Sequence, residues 1–201
     1  MSLSINSGAP PAEVRAALQP LVDFQADGMP IDELEQLIQT NLLPHLMRYD
    51  RPEFQSMFNA FPPAESRLGA DIALEFNQGV TNWQVSPGGA MLEEMAGQAL
   101  CRLFDLAPSA DCTFMYSGTY ANQQALYLAI HRYAERKGVD FVNDGLAAFE
   151  DPGRLAVLVS ADAHFSMRHA VRMLGMGENN LIKVPVDAER RMDVEALKQL
   201  I

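Results

Sequence analysis

The run Leu155-Ala156-Val157-Leu158-Val159-Ser160 and the turn that follows constrain this chain more than any other stretch. An apolar run this short, bounded by polar residues, reads as a buried strand. The segment Ala161-Asp162-Ala163-His164-Phe165-Ser166 then ends the run and delivers a histidine to the strand's C-terminal edge, ahead of a new helix. Ligands of open α/β sheets gather at that edge. Upstream, a second short strand, Thr113 to Tyr116, leads into Ser117-Gly118-Thr119-Tyr120-Ala121-Asn122 and a long helix. A small-residue turn that opens a helix offers backbone amides and the positive end of the helix dipole to an anion such as a phosphate.

The remaining periodicity builds around these two turns. Apolar residues at helical spacing predict a helix from Ile31 to Leu43, closed by Pro44, and shorter helices over Ala12 to Phe24 and Leu68 to Phe76. Ser86-Pro87 is a cap and first-turn pair for a helix from about Gly88 to Phe104, with Met91, Leu92, Met95, Ala99, Leu100 and Leu103 on its apolar face. A helix from Tyr120 to Arg136 turns Ala125, Leu126, Ala129 and Tyr133 inward, and residues 138–153 form a loop. Ser166 to Leu174 is a helix stopped by Gly175, Leu181 to Val186 a strand, and Asp193 caps a last helix. Strand and helix alternate through the second half, which predicts a mostly parallel sheet covered by helices. Residues 1–65 read as an N-terminal helical and extended segment, and residues 66–201 as part of an α/β domain. The sheet so described is left with an unpaired edge, so the chain reads as incomplete.

Composition narrows the partners. With 201 residues, 48% of them hydrophobic and 20% charged, the chain can bury a substantial core. A net charge of -11 argues against nucleic acid and anionic membrane surfaces. No apolar run approaches the length of a membrane span, and the N-terminus lacks the basic-then-apolar order of a signal peptide, its first basic residue being Arg15. The two cysteines, Cys101 and Cys112, match no metal-ligand spacing and are expected to be reduced packing residues in a cytoplasmic protein. No metal site is expected.

Two chemical readings stand beside two structural ones. Ser117-Gly118-Thr119 can cradle a phosphate with hydroxyls and amides, or can be an ordinary strand-to-helix turn with a threonine cap. His164 can act at the sheet edge, or can be a hydrogen-bonded structural residue. Asp162 sits two residues away and implies no local His–Asp pair; His131 and His169 are expected on solvated helix faces. Taken together, a phosphate cradle and a strand-end imidazole point to a phosphorylated cofactor that carries an aromatic ring.

At these residues a family resemblance emerges. Ser117 to Asn122 with the alanine-containing helix behind it resembles the phosphate-binding segment of the pyridoxal-phosphate-dependent amino-acid decarboxylases of group II, the glutamate- and aromatic-type enzymes. Ser160 to Ser166, followed by Ala170 and Gly175, resembles the segment carrying that family's ring-stacking histidine. Val184-Pro185-Val186-Asp187 with Arg191-Met192-Asp193 resembles the strand, turn and helix that come next. Arg51-Pro52-Glu53-Phe54 is similar to an entry motif that has histidine where this chain has Arg51, and Trp83 to Pro87 with Leu92-Glu93 is similar to the lead into the first large-domain helix. The five segments are collinear over roughly residues 44 to 201.

The resemblance implies an α/β fold of the PLP-dependent transferase type (fold type I), present here only in part, and a homodimer with sites at its interface. It implies pyridoxal 5'-phosphate as cofactor, Ser117, Gly118 and Thr119 at its phosphate, and His164 stacked on its ring as the catalytic residue. Asn59, Thr81 and Trp83 fall where the family approaches the substrate. The reaction implied is decarboxylation of an L-amino acid to an amine and carbon dioxide; acidic, aromatic and diamino substrates all stay open. The resemblance puts the family's Schiff-base lysine and its pyridinium aspartate beyond this chain's end: Lys183 lies in a strand that matches a non-catalytic part of the family, and Lys137 and Lys198 read as helix-end surface residues. The chain is therefore expected to be the N-terminal portion of a longer enzyme and inactive alone. Another fold-type I enzyme, an aminotransferase or desulfurase, and a non-catalytic truncated relative are the alternatives.

Overall fold

The computed structural model describes residues 5–23, 27–55 and 61–201. These divide into two compact units, Met1–Gln78 and Gly79–Ile201.

The first unit is helical. Helix α1 (Pro11–Leu18) begins on a proline that pre-sets its first turn and passes into a 3₁₀ turn ending at Leu21. Helix α2 (Ile31–Leu37) does not continue as one regular helix to Leu43, as its spacing predicts. It widens into a π-helical stretch over Ile38–Leu42 and tightens into a 3₁₀ turn over Leu43–His45. Pro44 lies within that last turn and lacks the N–H that a regular helix would use. Asn41 donates its side-chain amide to the carbonyl of Ala17, tying the widened stretch to α1. Helix α3 (Ala64–Phe76) starts four residues earlier than Leu68 and is terminated by Asn77 in the left-handed conformation.

The second unit holds the sheet. Strands β1 (Val157–Ser160) and β2 (Leu181–Val184) pair in parallel, with Val157 opposite Leu181 and Ser160 opposite Val184. Helix α7 (Ser166–Met173) forms the crossover that parallel pairing requires. Ala170 and Val171 on α7 and Val184 on β2 are fully shielded from solvent. Each of the two valines contributes about 1.5–3 kcal/mol by that burial. Gly175, with a φ of +74°, stops the helix as its position predicts.

Helix α5 (Gly118–Lys137) packs on α7. Its buried stripe is Ile130 and Ala134, which join Phe149 in a small core with Phe141, Leu146, Leu155 and Met176 against it. Of the residues expected inward, Leu126 is half-buried while Ala125, Ala129 and Tyr133 are exposed; the covered row is the adjacent one that carries Ile130 and Ala134. Residues 138–153 are not a plain loop: they form α6 (Phe141–Asp144), capped by the Asp140 side chain, and a 3₁₀ turn. His131 is half-buried and packs edge-on between Tyr127 and Phe141, at 4.4 and 4.8 Å between ring centres, rather than lying on a solvated face.

Two further expectations change. Helix α4 (Pro87–Leu103) turns Gly97 and Cys101 into the protein, while Met91, Leu92, Met95, Leu100 and Leu103 are exposed. Its small-residue side wins because the Cys112 backbone approaches there: a side chain begun at Gly97 would stand 3.2 Å from the Cys112 carbonyl oxygen. Thr113 to Tyr116, expected as a strand, has no ladder partner among the described residues. An extended segment becomes a strand only when a neighbour takes up its backbone groups. Beyond β2, a single antiparallel bridge joins Val186 to Met192, and Asp193 caps α8 (Val194–Gln199) by accepting from the amides of Glu195 and Ala196.

Candidate active site

The site begins where the backbone enters α5. Ser117 holds φ +86° and ψ 150°, a region that side chains rarely occupy. Such a residue costs about 1–3 kcal/mol and persists only where its surroundings impose it. The kink brings Gly118, Thr119 and Tyr120 ahead of the first intrahelical bond, which runs from the Ala121 amide to the Ser117 carbonyl at 3.1 Å. Amides in that position aim along the axis, at the positive end of a 20-residue helix. An added Cβ at Gly118 would meet nothing within 4 Å, so the backbone there can be approached closely.

His164 stands in the turn between β1 and α7. Its Nδ1 lies 2.9 Å from the Ser166 hydroxyl and accepts from the Ser166 amide at 3.2 Å. Ser166, wholly buried, is in turn 2.8 Å from the Asn122 side-chain amide, which donates to its hydroxyl. Asn122 belongs to the second turn of α5. The helix that begins at Ser117-Gly118-Thr119 is thus fastened through two side chains to the imidazole at the strand edge. The His164 ring itself is exposed, with the Phe165 ring tilted against it at 4.1 Å between centres.

Asp162 takes no part in this chain of hydrogen bonds. It pairs with Arg190 at 3.0 Å, and so pins the turn after β2 to the end of β1. Val159, His164, Phe165, Arg168, Glu178 and Lys183 border a hollow of about 360 Å³ on that side. Thr81 and Trp83 lie in the turn ahead of α4, with Trp83 58% exposed. Among the described residues no hydrogen bond joins that turn to α5 or His164. Asn59 lies outside the described residues.

Sequence reasoning missed Asn122 and Ser166 as parts of the site, although both stand inside the two motifs it singled out. The signal available was spacing: one helical turn separates Asn122 from Gly118, and two residues separate Ser166 from His164.

A phosphorylated aromatic group fits this arrangement, with open space over Gly118, amides at the helix start, and an exposed imidazole on the linked turn. The lysines are placed for other tasks. Lys137 ends α5 over the Tyr133 ring, and Lys198 pairs with Glu195 at 2.8 Å. Lys183 sits within β2, opposite Val159.

The chain is similar to known proteins. The chain is 33% identical over 181 residues to L-2,4-diaminobutyrate decarboxylase of Rhizobium meliloti, covering 84% of this chain and 34% of that one. Its fold matches the glutamate decarboxylase domain of a diaminobutyrate-pyruvate transaminase and L-2,4-diaminobutyrate decarboxylase from Vibrio parahaemolyticus, with a TM-score of 0.89 at 22% identity over 98% of this chain and 42% of the other. It also matches Oryza sativa TDC, solved with PLP and tryptamine, with a TM-score of 0.81 at 22% identity over 98% of this chain and 40% of that one. The chain spans about a third of the length of the curated relatives it matches. The conserved-domain model for pyridoxal-dependent decarboxylases matches residues 11–201, and the chain belongs to that family.

Proposed function

We propose that this chain supplies one wall of the site of a pyridoxal-phosphate-dependent decarboxylase that converts an L-amino acid to its amine and carbon dioxide. The observation that carries this reading is the fastening of the strained Ser117-Gly118 entry to His164 through Asn122 and Ser166. Pyridoxal phosphate supplies the electron sink for the carbon left when the carboxylate departs. Ser117, Gly118 and Thr119 would hold its phosphate at the α5 start, where backbone dipoles favour an anion. His164 would lie against its ring and orient it. Thr81, Trp83 and Asn59 are assigned to the substrate approach, on the resemblance alone.

The same reading places the cofactor-anchoring lysine outside these 201 residues, because Lys137 and Lys198 are engaged at helix ends and Lys183 lies in the middle of a strand. The chain alone is then inactive, and the working enzyme is a cytoplasmic homodimer. The apolar residues Leu68, Ile72, Leu74 and Phe76 that α3 leaves exposed support a further partner surface. Relatives named for L-2,4-diaminobutyrate make that diamino acid the first substrate to test.

Titration of the purified chain with pyridoxal phosphate, then borohydride reduction and peptide mass mapping, tests the lysine assignment. No specific lysine adduct is expected, and an adduct confined to Lys183 would overturn the assignment. In the enzyme containing this chain, carbon dioxide release is measured from L-2,4-diaminobutyrate, L-aspartate, L-glutamate and L-tryptophan. His164→Ala is expected to lose about 10²-fold or more of the rate while keeping the cofactor. Full activity in that variant would remove His164 from the mechanism.

A further inference from the structure

We infer that Asn122 and Ser166 are positioning residues that set which nitrogen of His164 carries the ring proton. The inference rests on the reading of His164 as the ring-stacking residue and adds to it a defined tautomer. One donor in the cluster is unambiguous. The Ser166 backbone amide can only donate, and it points at His164 Nδ1 at 3.2 Å. A ring nitrogen that accepts a hydrogen bond carries no proton in the neutral imidazole. The Ser166 hydroxyl, 2.9 Å from the same nitrogen, must therefore donate to it as well. Having donated its one proton, that hydroxyl is left to accept, and the Asn122 amide, at 2.8 Å, supplies the donor.

The three groups form a one-way chain, Asn122 Nδ2–H to Ser166 Oγ–H to His164 Nδ1, and the ring proton resides on Nε2. Burial makes the direction matter. Ser166 is wholly shielded, so a hydroxyl turned the wrong way finds no water to satisfy it, and a buried polar group left without a partner is unfavourable. The exposed His164 ring consequently presents an N–H donor on its outer nitrogen, the polarity suited to a carboxylate or other anionic oxygen rather than to a cationic group. The same chain also reports between the two halves of the site, since Asn122 rides on the helix whose first turn carries Gly118 and Thr119.

Long-range proton–nitrogen NMR of the ¹⁵N-labelled chain, without cofactor and at a pH where His164 is neutral, tests the assignment. The expected spectrum shows Nδ1 as an unprotonated, hydrogen-bonded nitrogen and Nε2 as protonated. Asn122→Asp keeps the shape but replaces the donor with an acceptor; the Ser166 hydroxyl then turns to the carboxylate and the two ring-nitrogen signals move toward each other. Ser166→Ala removes the hydroxyl donor but keeps the backbone amide at Nδ1, and is expected to move the two signals less than Asn122→Asp does. Gln123→Ala, the next residue along α5, leaves them in place. A protonated Nδ1 in the unsubstituted chain overturns the inference without any variant, as do unmoved ring signals in Asn122→Asp with the fold intact by circular dichroism. Because the spectra are read without cofactor or turnover, they can fail while the decarboxylase reading stands, and a lack of carbon dioxide release leaves them untouched.

Discussion

Ser117 and Asp50 show how single residues carry energy that the sequence does not display. Ser117 occupies a backbone region that only glycine enters freely, with φ +86°. Ser117→Gly is expected to raise thermal stability by about 1 kcal/mol, the relief of strain exceeding the extra freedom of the unfolded glycine. Chemical denaturation of the two chains checks the sign, and a loss of stability would mean the serine side chain is what holds the kink. Asp50 accepts two hydrogen bonds from the Arg48 guanidinium, at 2.8 and 2.6 Å, and this holds its pKa down at about 2. A depressed carboxyl stabilises the fold above its unfolded value, near 4, and that contribution is lost as pH falls through the folded value. Carbon-detected NMR titration is expected to give an Asp50 midpoint of about 2, returning to the ordinary carboxylate range in Arg48→Ala. An unmoved midpoint in that variant would assign the shift to the backbone instead. The strain at Ser117 could not have been read from its neighbours, because a Ser-Gly step accommodates many conformations and only the packed helix behind it selects this one.

At the scale of elements, local chemistry was legible wherever a cap or stop carried it. Gly175 and Asp193 end and begin helices where their residue types require. What the pattern misjudged was which face of a helix is covered. On α4 the large apolar residues are exposed and the small side is packed, because close backbone approach, not hydrophobicity, decides that contact. The same amino-acid change should therefore have opposite signs in two helices. Gly69→Ala, in α3, adds a methyl to open space and removes a flexible residue from a helix, and is expected to stabilise by up to about 1 kcal/mol. Gly97→Ala, in α4, places its methyl 3.1 Å from the Cys112 Cβ and 3.2 Å from that residue's carbonyl oxygen, and is expected to cost about 1–3 kcal/mol net. Urea denaturation of both variants checks the pair, and a stabilised Gly97→Ala would show that the Cys112 segment yields. The strand expected at Thr113 to Tyr116 failed for a different reason: pairing is a property of two segments, and one segment's residues cannot reveal whether a partner is in reach.

Across the whole molecule, burial is distributed unevenly, and amide exchange should follow it. No described residue of the first unit is buried, whereas the second encloses Ile130, Ala134, Phe149, Val159, Ala170, Val171 and Val184. The candidate site is built on that enclosed part: the α5 start, the β1 edge and the Ser166 relay all attach to packed elements, which is what a site holding a ring in one plane demands. The motifs announcing these elements were legible in the sequence because Gly118, His164 and their turns are local, while the relay joining them was not, since Asn122 and Ser166 lie 44 residues apart. Opening free energy follows the number of packed contacts that must break. Hydrogen exchange on the chain is therefore expected to be slowest in β1, β2 and the Ile130–Ala134 stretch of α5, and fastest in α3, where no side chain is covered. Ser166→Ala, which cuts the link between α5 and the β1 turn, should speed exchange at the starts of α5 and α7 while leaving the Phe149 core protected. Equal acceleration throughout the second unit would instead make the relay part of the global fold, and the site would then have no stability of its own to lose.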